Sequence, residues 1–563
     1  MRKLYPKLFT TLLAVVTLLV NSGQLSHAQN SATEIYAITN ARIVTVSGPV
    51  IERGTLVIRN GLVQAAGANI IAPADAQVID GAGLTIYPGL IDGLSSFGIP
   101  VPQASPSAAG PGQTGQRGQS VAALQTTSFA SPNSTQPPGL QPEVYASDQI
   151  RAGGDQFDAA HAAGITSALT APREGIFMGQ SAMINLAGET PQKMIVKSPM
   201  ALHVGFTPLR TGGYPNSLMG VFSALRQMLL DAQRYREANQ IYEKSPRGLR
   251  RPDQDKSLEA LLPVLSGAIP VVMVANSERE IIRALDLAKE FKLKAIIAGG
   301  EESWRVTDRL REQNVPVLLS LNFPRRTSAL LPEADPDSMR VLRARVNAPR
   351  TAGKLAAAHV RFAFESGSML NLEDFLGNAA KAVEGGLSRD EALRALTLNG
   401  AQILGLDDRL GSIEPGKIAN LTIVRGDIFD KKSKVVQLFI DGRLVEIKAT
   451  ANAASQTGQS GMGGTWALNV NLGEGDIGII LTLQQEGDTL TGSMQGALGS
   501  NQIAGASAGP GGEIRFTVPI TLSRESKQTT EANFTGTVTG NEMRGTVQIV
   551  GRSPGTFTGT RPK

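Results

Sequence analysis

The 563-residue sequence predicts an α/β fold, a β/α (TIM-like) barrel flanked by β stretches and followed by a separate all-β domain. Three observations carry that prediction. Strand-like and helical patterns alternate from about Asp148 to Asn399; short strands punctuated by turns lie on either side, over Ile35 to Ile86 and Gly411 to Glu446; and beyond Gly464 the composition shifts to regularly spaced short strands with glycines at the turns.

The chain begins with Arg2, Lys3 and Lys7, an apolar run from Leu8 to Val20, and small residues at Ser26-His27-Ala28, the layout of a secretory signal peptide over residues 1–28. A transmembrane anchor is the competing reading, but the apolar run falls short of the ~20 residues that a spanning helix needs. The expectation is therefore an exported protein, periplasmic or extracellular, with no membrane span after signal cleavage. The sequence has no cysteine, so neither disulfides nor a lipid-modified cysteine are available to it. Its net charge of +5 includes three cations of the signal segment, and the remaining Lys and Arg are scattered among acids, which argues against a nucleic-acid partner.

In the first β stretch the strands read as Ala37 to Val44, Gly54 to Ile58 and Leu62 to Ala66, the last two joined by a hairpin signal at Asn60-Gly61. Residues 101–144 are dense in Pro, Gly, Ser and Gln and read as a surface loop. Within the alternating region, a helix is expected over Glu278 to Phe291, a strand over Lys294 to Ile297, a helix over Ser303 to Gln313 and a strand over Val315 to Leu321. Residues 218–262 interrupt the rhythm with charged amphipathic patterns and are expected to form a solvated helical insertion. Residues 448–463 read as a linker, and 464–563 as an antiparallel barrel or sandwich whose role is structural or attaches the protein to an envelope polymer, with a ligand-binding cup as the alternative.

Three segments resemble the amidohydrolase superfamily, in particular its exported imidazolonepropionase-like branch. They are Ile86-Tyr87-Pro88-Gly89-Leu90-Ile91-Asp92; Ala162 to Ala168 with Gly175 to Ser181; and Leu387 to Leu393 continued through Thr397 to Ala401, Leu404 to Leu406 and Gly411 to Asn420. The resemblance frames residues 35–447. It implies that residues 29–86 and 405–447 pair into one composite β-sandwich beside a barrel of residues 87–404.

It also implies a hydrolase acting on non-peptide carbon–nitrogen bonds through zinc, with His-x-His closing the first strand, histidines ending the fifth and sixth, and an aspartate after the eighth. A zinc-like ion lowers the pKa of bound water from about 15.7 to about 7, which amounts to ~12 kcal/mol in favour of the nucleophile. Here the corresponding positions hold Leu94, Ser96, Val274, Ala298 and Gly367. No cofactor is therefore expected, and the reading is a protein without metal-dependent hydrolysis, serving as a binding or partner protein beside an active amidohydrolase relative or as a homo-oligomer.

The alternative is hydrolysis of a cyclic amide or related bond by an unconventional centre, for which Asp92, His203 and Glu365 are the candidates, joined by Glu301-Glu302 at the barrel mouth. The plainer reading makes Asp92 a brace of the first strand and the glutamates solvated loop residues. His161 and His359 are expected to be structural. No Gly-x-Ser-x-Gly elbow occurs.

Overall fold

The computed structural model describes residues 35–100, 134, 136–209, 214–324, 337–367, 369, 371–430, 433–447 and, with short gaps, 463–561. The predicted signal segment, most of the predicted 101–144 loop and all but the last residue of the predicted 448–463 linker lie outside the described residues. The chain divides into two compact units, 1–326 with 337–448, and 327–336 with 449–563.

The first unit opens with β1 (Tyr36–Ile43), β2 (Ile51–Arg59), β3 (Leu62–Gly67), β4 (Gln77–Asp80) and β5 (Leu84–Pro88). Asn60 and Gly61 both take positive φ, 54° and 79°, as the two-residue turn between β2 and β3 requires. After the barrel come β16 (Leu421–Arg425), β17 (Lys434–Ile440) and β18 (Arg443–Val445), and β16 pairs antiparallel with β5. The two stretches thus form one sheet in the order β18-β17-β16-β5-β1-β2-β3, with β4 on β1. Its core holds Ile38, Ile43, Leu56, Ile58, Ile86, Leu421, Ile423 and Phe439.

The barrel strands are β6 (Leu90–Ser95), β7 (Ile165–Thr170), β8 (Phe177–Gln180), β9 (Ala182–Asn185), β11 (Leu202–Gly205), β12 (Val271–Ala275), β13 (Ala295–Gly299), β14 (Val317–Ser320) and β15 (Phe362–Glu365), with the short β10 (Ile195–Lys197) on the edge of β9. Strands β11 to β15 pair in parallel, as do β6 and β7. The third position of the ring departs from an all-parallel barrel. There β8 and β9, interrupted only at Ser181, run antiparallel, β9 pairing with β7 and β8 with β11. Six residues, 171–176, separate β7 from β8, too few for a crossover helix, so the chain can only turn back. Leu140, near the end of the predicted loop, and Tyr145, just after it, make isolated bridges to Phe177 and Gln180 of β8.

The ring closes between β15 and β6. The Gly367 amide donates to the Leu94 carbonyl at 3.2 Å, and Gly93 lies so close to β15 that a Cβ there would sit 2.9 Å from the Phe364 carbonyl oxygen. Outward residues such as Val271, Met273, Ile297, Val317 and Phe364 pack with the surrounding helices. Inward residues Ile91, Leu169, Met183, Val272, Ile296, Leu318 and Ala363 form a separate cluster with Ala401, Leu404, Leu406 and Leu410.

The helix Glu278–Phe291 begins with a capping box at Ser277 and Glu280, and its end coincides with the predicted one. The predicted helix Ser303 to Gln313 is instead a 3-10 turn, Ser303–Arg305, and a helix, Thr307–Glu312, because Val306 between them has non-helical φ and ψ of −125° and 25°. The insertion is not simply solvated. Its helix Leu218–Lys244 buries Val221, Phe222, Leu225, Met228, Leu229 and Ala232 in the main core, an apolar stripe whose helical spacing was obscured by the charges between its members. No helix among the described residues is long and apolar enough to cross a membrane.

The second unit is a single antiparallel sheet of β19 (Gly464–Asn471), β20 (Asp476–Glu486), β21 (Thr489–Gly496), β22 (Gly499–Gln502), β23 (Ala504–Ala508), β24 (Glu513–Thr521), β25 (Thr529–Thr539), β26 (Glu542–Ile549) and β27 (Gly555–Thr560). Strand β20 pairs with both β19 and β21, and β27 with both β26 and β19, so the ladder returns on itself as an up-and-down barrel and not a sandwich. Alternate residues fill the interior, among them Trp466, Leu481, Phe516, Phe534 and Phe557. The Phe516 and Phe534 rings stack at 4.7 Å and Phe557 meets Phe534 edge-on at 5.4 Å. Replacing Phe534 with alanine is expected to destabilise this barrel by about 3–5 kcal/mol. Denaturant unfolding of the full chain, followed through Trp466, checks this; an unshifted midpoint would contradict the packing described.

Candidate functional site

The C-terminal ends of the barrel strands carry a group of buried polar side chains. Asp92, on β6, has no exposed surface. One carboxylate oxygen accepts from the Ser366 amide at 2.8 Å and from the Leu94 amide at 3.2 Å, and the other accepts from the Ser366 hydroxyl at 2.5 Å. Burial pushes its pKa up to about 6 despite these hydrogen bonds.

Glu365 is the last residue of β15 and pairs in register with Ser320 of β14, two residues above the inward pair Leu318 and Ala363. The strand alternation therefore turns Glu365 into the lumen. It is buried, Oε2 has no hydrogen-bond partner, and burial first and the Asp92 charge second push its pKa up to about 8. The solvated-loop reading of Glu365 is thus corrected: it is an inward strand residue whose short polar neighbours, Ser366 and Gly367, made the strand end resemble a loop.

His203 lies on β11 opposite Val272 of β12, and so faces inward with it. The ring is buried, neither nitrogen has a hydrogen-bond partner, and burial alone lowers its pKa to about 3. The imidazole is neutral at any ordinary pH. A tilted barrel staggers equivalent side chains by about one residue per strand, a stagger visible where Gly93 of β6 approaches Leu318 of β14. The same step places His203, Ala298 and Glu365 in one layer near the mouth.

Arg173, three residues beyond β7, supplies a cation that no sequence pattern marks. Its guanidinium donates to the Gly367 carbonyl at 2.5 Å and is the positive charge that Asp92 and Glu365 face. The side chain is exposed on its outer side while its head is partly desolvated. Ser366 also escaped the sequence reading, because serine beside glycine in a polar strand end carries no distinctive pattern.

The other predicted positions separate. Leu94 and Val274 pack, partly buried, against the apolar lumen cluster, and Ala298 belongs to it. Ser96 is half-buried beyond the end of β6, and Gly367 takes a φ of 56°. Glu302 accepts from the Glu278 amide at 2.8 Å, at the start of the preceding helix Glu278–Phe291, and Glu301 faces Arg340, so this pair is engaged away from Asp92 and Glu365. The His161 ring hydrogen-bonds the Leu186 carbonyl at 2.7 Å, whereas His359 is exposed in a left-handed turn before β15. Two described clefts lie elsewhere. One of about 430 Å³ is lined by Phe323, Arg345, Asp374 and Lys381, and one of about 700 Å³ by Gln402, Asp407, Glu414 and Lys417.

A carboxyl whose pKa is raised by folding stabilises the folded state fully below its unfolded pKa, and that contribution is lost as pH rises through the folded value. For Glu365 the window runs from about 4.5 to about 8. Glu365→Gln is expected to flatten the decline of stability with pH across that window. Urea unfolding at pH 5 and pH 8 measures it, and an unchanged difference between the two would refute the assignment.

Residues 309–445 match the profile of the amidohydrolase family. The N-acetylglucosamine-6-phosphate deacetylase of Haemophilus influenzae is 36% identical over 81 residues, 14% of this chain and 19% of that protein, so the chain spans about a fifth of the length of the curated relative it matches. The solved structure of an amidohydrolase from Thermotoga maritima is 26% identical, with a TM-score of 0.59, and the likeness covers 73% of this chain and 99% of that one. The first unit thus contains a segment that matches the amidohydrolase family and shares its fold with an amidohydrolase.

Proposed function

We propose that this chain is an exported protein that keeps the amidohydrolase barrel as a binding scaffold and does not carry out metal-dependent hydrolysis. The observation that carries the reading is the set of side chains at the strand ends: Leu94, Ser96, Val274, Ala298 and Gly367, of which Ser96 alone bears a side-chain oxygen. The polar groups that remain fit a metal poorly. Both Asp92 oxygens are engaged by Ser366, and Glu365 faces the Arg173 cation, which would repel a dication placed there. Among the described residues no group of three His, Asp or Glu side chains is placed to hold an ion. Structural zinc-type sites use four protein ligands and catalytic ones three.

In this reading the barrel serves a partner, an active amidohydrolase relative or a second copy of the chain, and the C-terminal barrel attaches it to an envelope polymer. The apolar filling of that second barrel supports a structural role over a ligand cup. Metal analysis of the purified, dialysed protein is expected to find far less than one zinc per chain. Stoichiometric zinc that survives dialysis would overturn the proposal.

A second reading, metal-free hydrolysis of a non-peptide carbon–nitrogen bond, is favoured by one observation. Burial sets the two carboxyls on either side of neutrality, Asp92 near 6 and Glu365 near 8, which suits one as base and the other as acid. Turnover of cyclic amides that resists chelators and is lost in the Asp92→Ala, Glu365→Gln double variant is the expected result. Turnover unaffected by both substitutions would dismiss this reading.

A further inference from the structure

We propose that Ser366 is the nucleophile of a metal-independent acyl-transfer site at the β15–β6 seam, with Asp92 as its base, Arg173 as the cation for the developing oxyanion, and a carboxylic ester as substrate. The proposal rests on the metal-free reading above and supplies the nucleophile that reading lacks. Ser366 is buried and its hydroxyl already donates to a carboxylate, the arrangement in which a proton can leave as the oxygen attacks. The second Asp92 oxygen is held by the Ser366 and Leu94 amides, which fixes the carboxylate against rotation. Glu365, the preceding residue, stays protonated at neutral pH and reaches the same strand end, where a Cβ on Gly367 would lie 2.9 Å from its Oε2. The Arg173 guanidinium spans the seam and donates to a neutral acceptor, the Gly367 carbonyl, which a substrate carbonyl oxygen can replace.

The steps balance without a metal. The Ser366 oxygen bonds to the ester carbon as its proton passes to Asp92, and the carbonyl electron pair moves onto the oxygen facing Arg173. Collapse breaks the bond to the alkoxy group, which takes the proton of Glu365 and departs as an alcohol. Water then attacks the acyl-serine, giving one proton to Glu365, while Asp92 returns its proton to Ser366 and the acid is released. An ester suits this arrangement because its leaving group needs a single proton and the lumen offers one protonated acid.

The test uses the full chain in excess chelator with a fluorophosphonate, which phosphonylates activated serines. The expected result is one label, mapped to Ser366, absent in Ser366→Ala and slowed about a hundredfold or more in Asp92→Asn, with loss of p-nitrophenyl acetate turnover on labelling. Since Ser366 also ties the seam together, Ser366→Cys provides a second readout. The chain has no other cysteine, so iodoacetamide would modify that thiol alone. No fluorophosphonate label on the native chain, or a label that persists in Ser366→Ala, overturns the proposal, as does a Ser366→Cys thiol that stays inert in the folded protein. Zinc content, measured separately, bears on the preceding reading alone.

Discussion

The double hydrogen bond between Asp92 and Ser366 is the constraint on which the barrel mouth depends. The ladders run continuously from β11 to β15, but among the described residues the first and last strands of the ring meet with few backbone bonds, the Gly367 amide donating to the Leu94 carbonyl at the mouth. Asp92 makes good that deficit by accepting from the amide and hydroxyl of a single residue, Ser366, just beyond β15. A charge-assisted pair of this kind in a desolvated place is roughly twice as strong as a neutral one, and leaving either side unmet would cost more than the bond contributes. Gly93, one residue on, permits the approach by having no side chain to hold the strands apart.

That same constraint organises the electrostatics. With Asp92 held out of water, its charge raises the cost of ionising Glu365, and Arg173 becomes the counter-charge of both. The lumen below is apolar, from Ile91 and Val272 to the residues that floor it, Leu404 and Leu410. Polar chemistry is therefore confined to one level, where His203 contributes a neutral imidazole with two unpartnered nitrogens. Such groups are uncommon in folded interiors and mark places where a fold is arranged for something besides stability.

Much of the architecture was legible in the residues. Turn chemistry located Asn60-Gly61, the helical period of Glu278 to Phe291 located its helix, and the order of strands and helices gave the barrel. What escaped detection has physical causes. Direction of pairing is not written in a strand's composition, so nothing in the sequence marked β8 and β9 as antiparallel to their neighbours. The buried stripe of Leu218–Lys244 was masked by the charges on its outer face. At the mouth, Asp92, His203 and Glu365 were identifiable as residue types, and the structure places each of them facing inward or buried. Arg173 and Ser366 were not, because their roles depend on strand ends separated by more than two hundred and seventy positions for Ser366 and Asp92, and by 194 for Arg173 and Gly367.

The pairing of β5 with β16 sets an order on how the molecule can be made. Strand β5 acquires one flank from β1, which is local, but its other flank arrives more than three hundred residues later, after the whole barrel has been laid down. Until then the N-terminal strands keep an unsatisfied edge bordered by apolar residues such as Ile86, the kind of surface that seeks a partner in any neighbouring chain. Completion of the sheet is a long-range event that waits for the last strands of the first unit, β16 to β18, to emerge. A chain that ends before Leu421 would be left with an open β edge, and its fate would be decided by association with other chains and not by the integrity of the barrel.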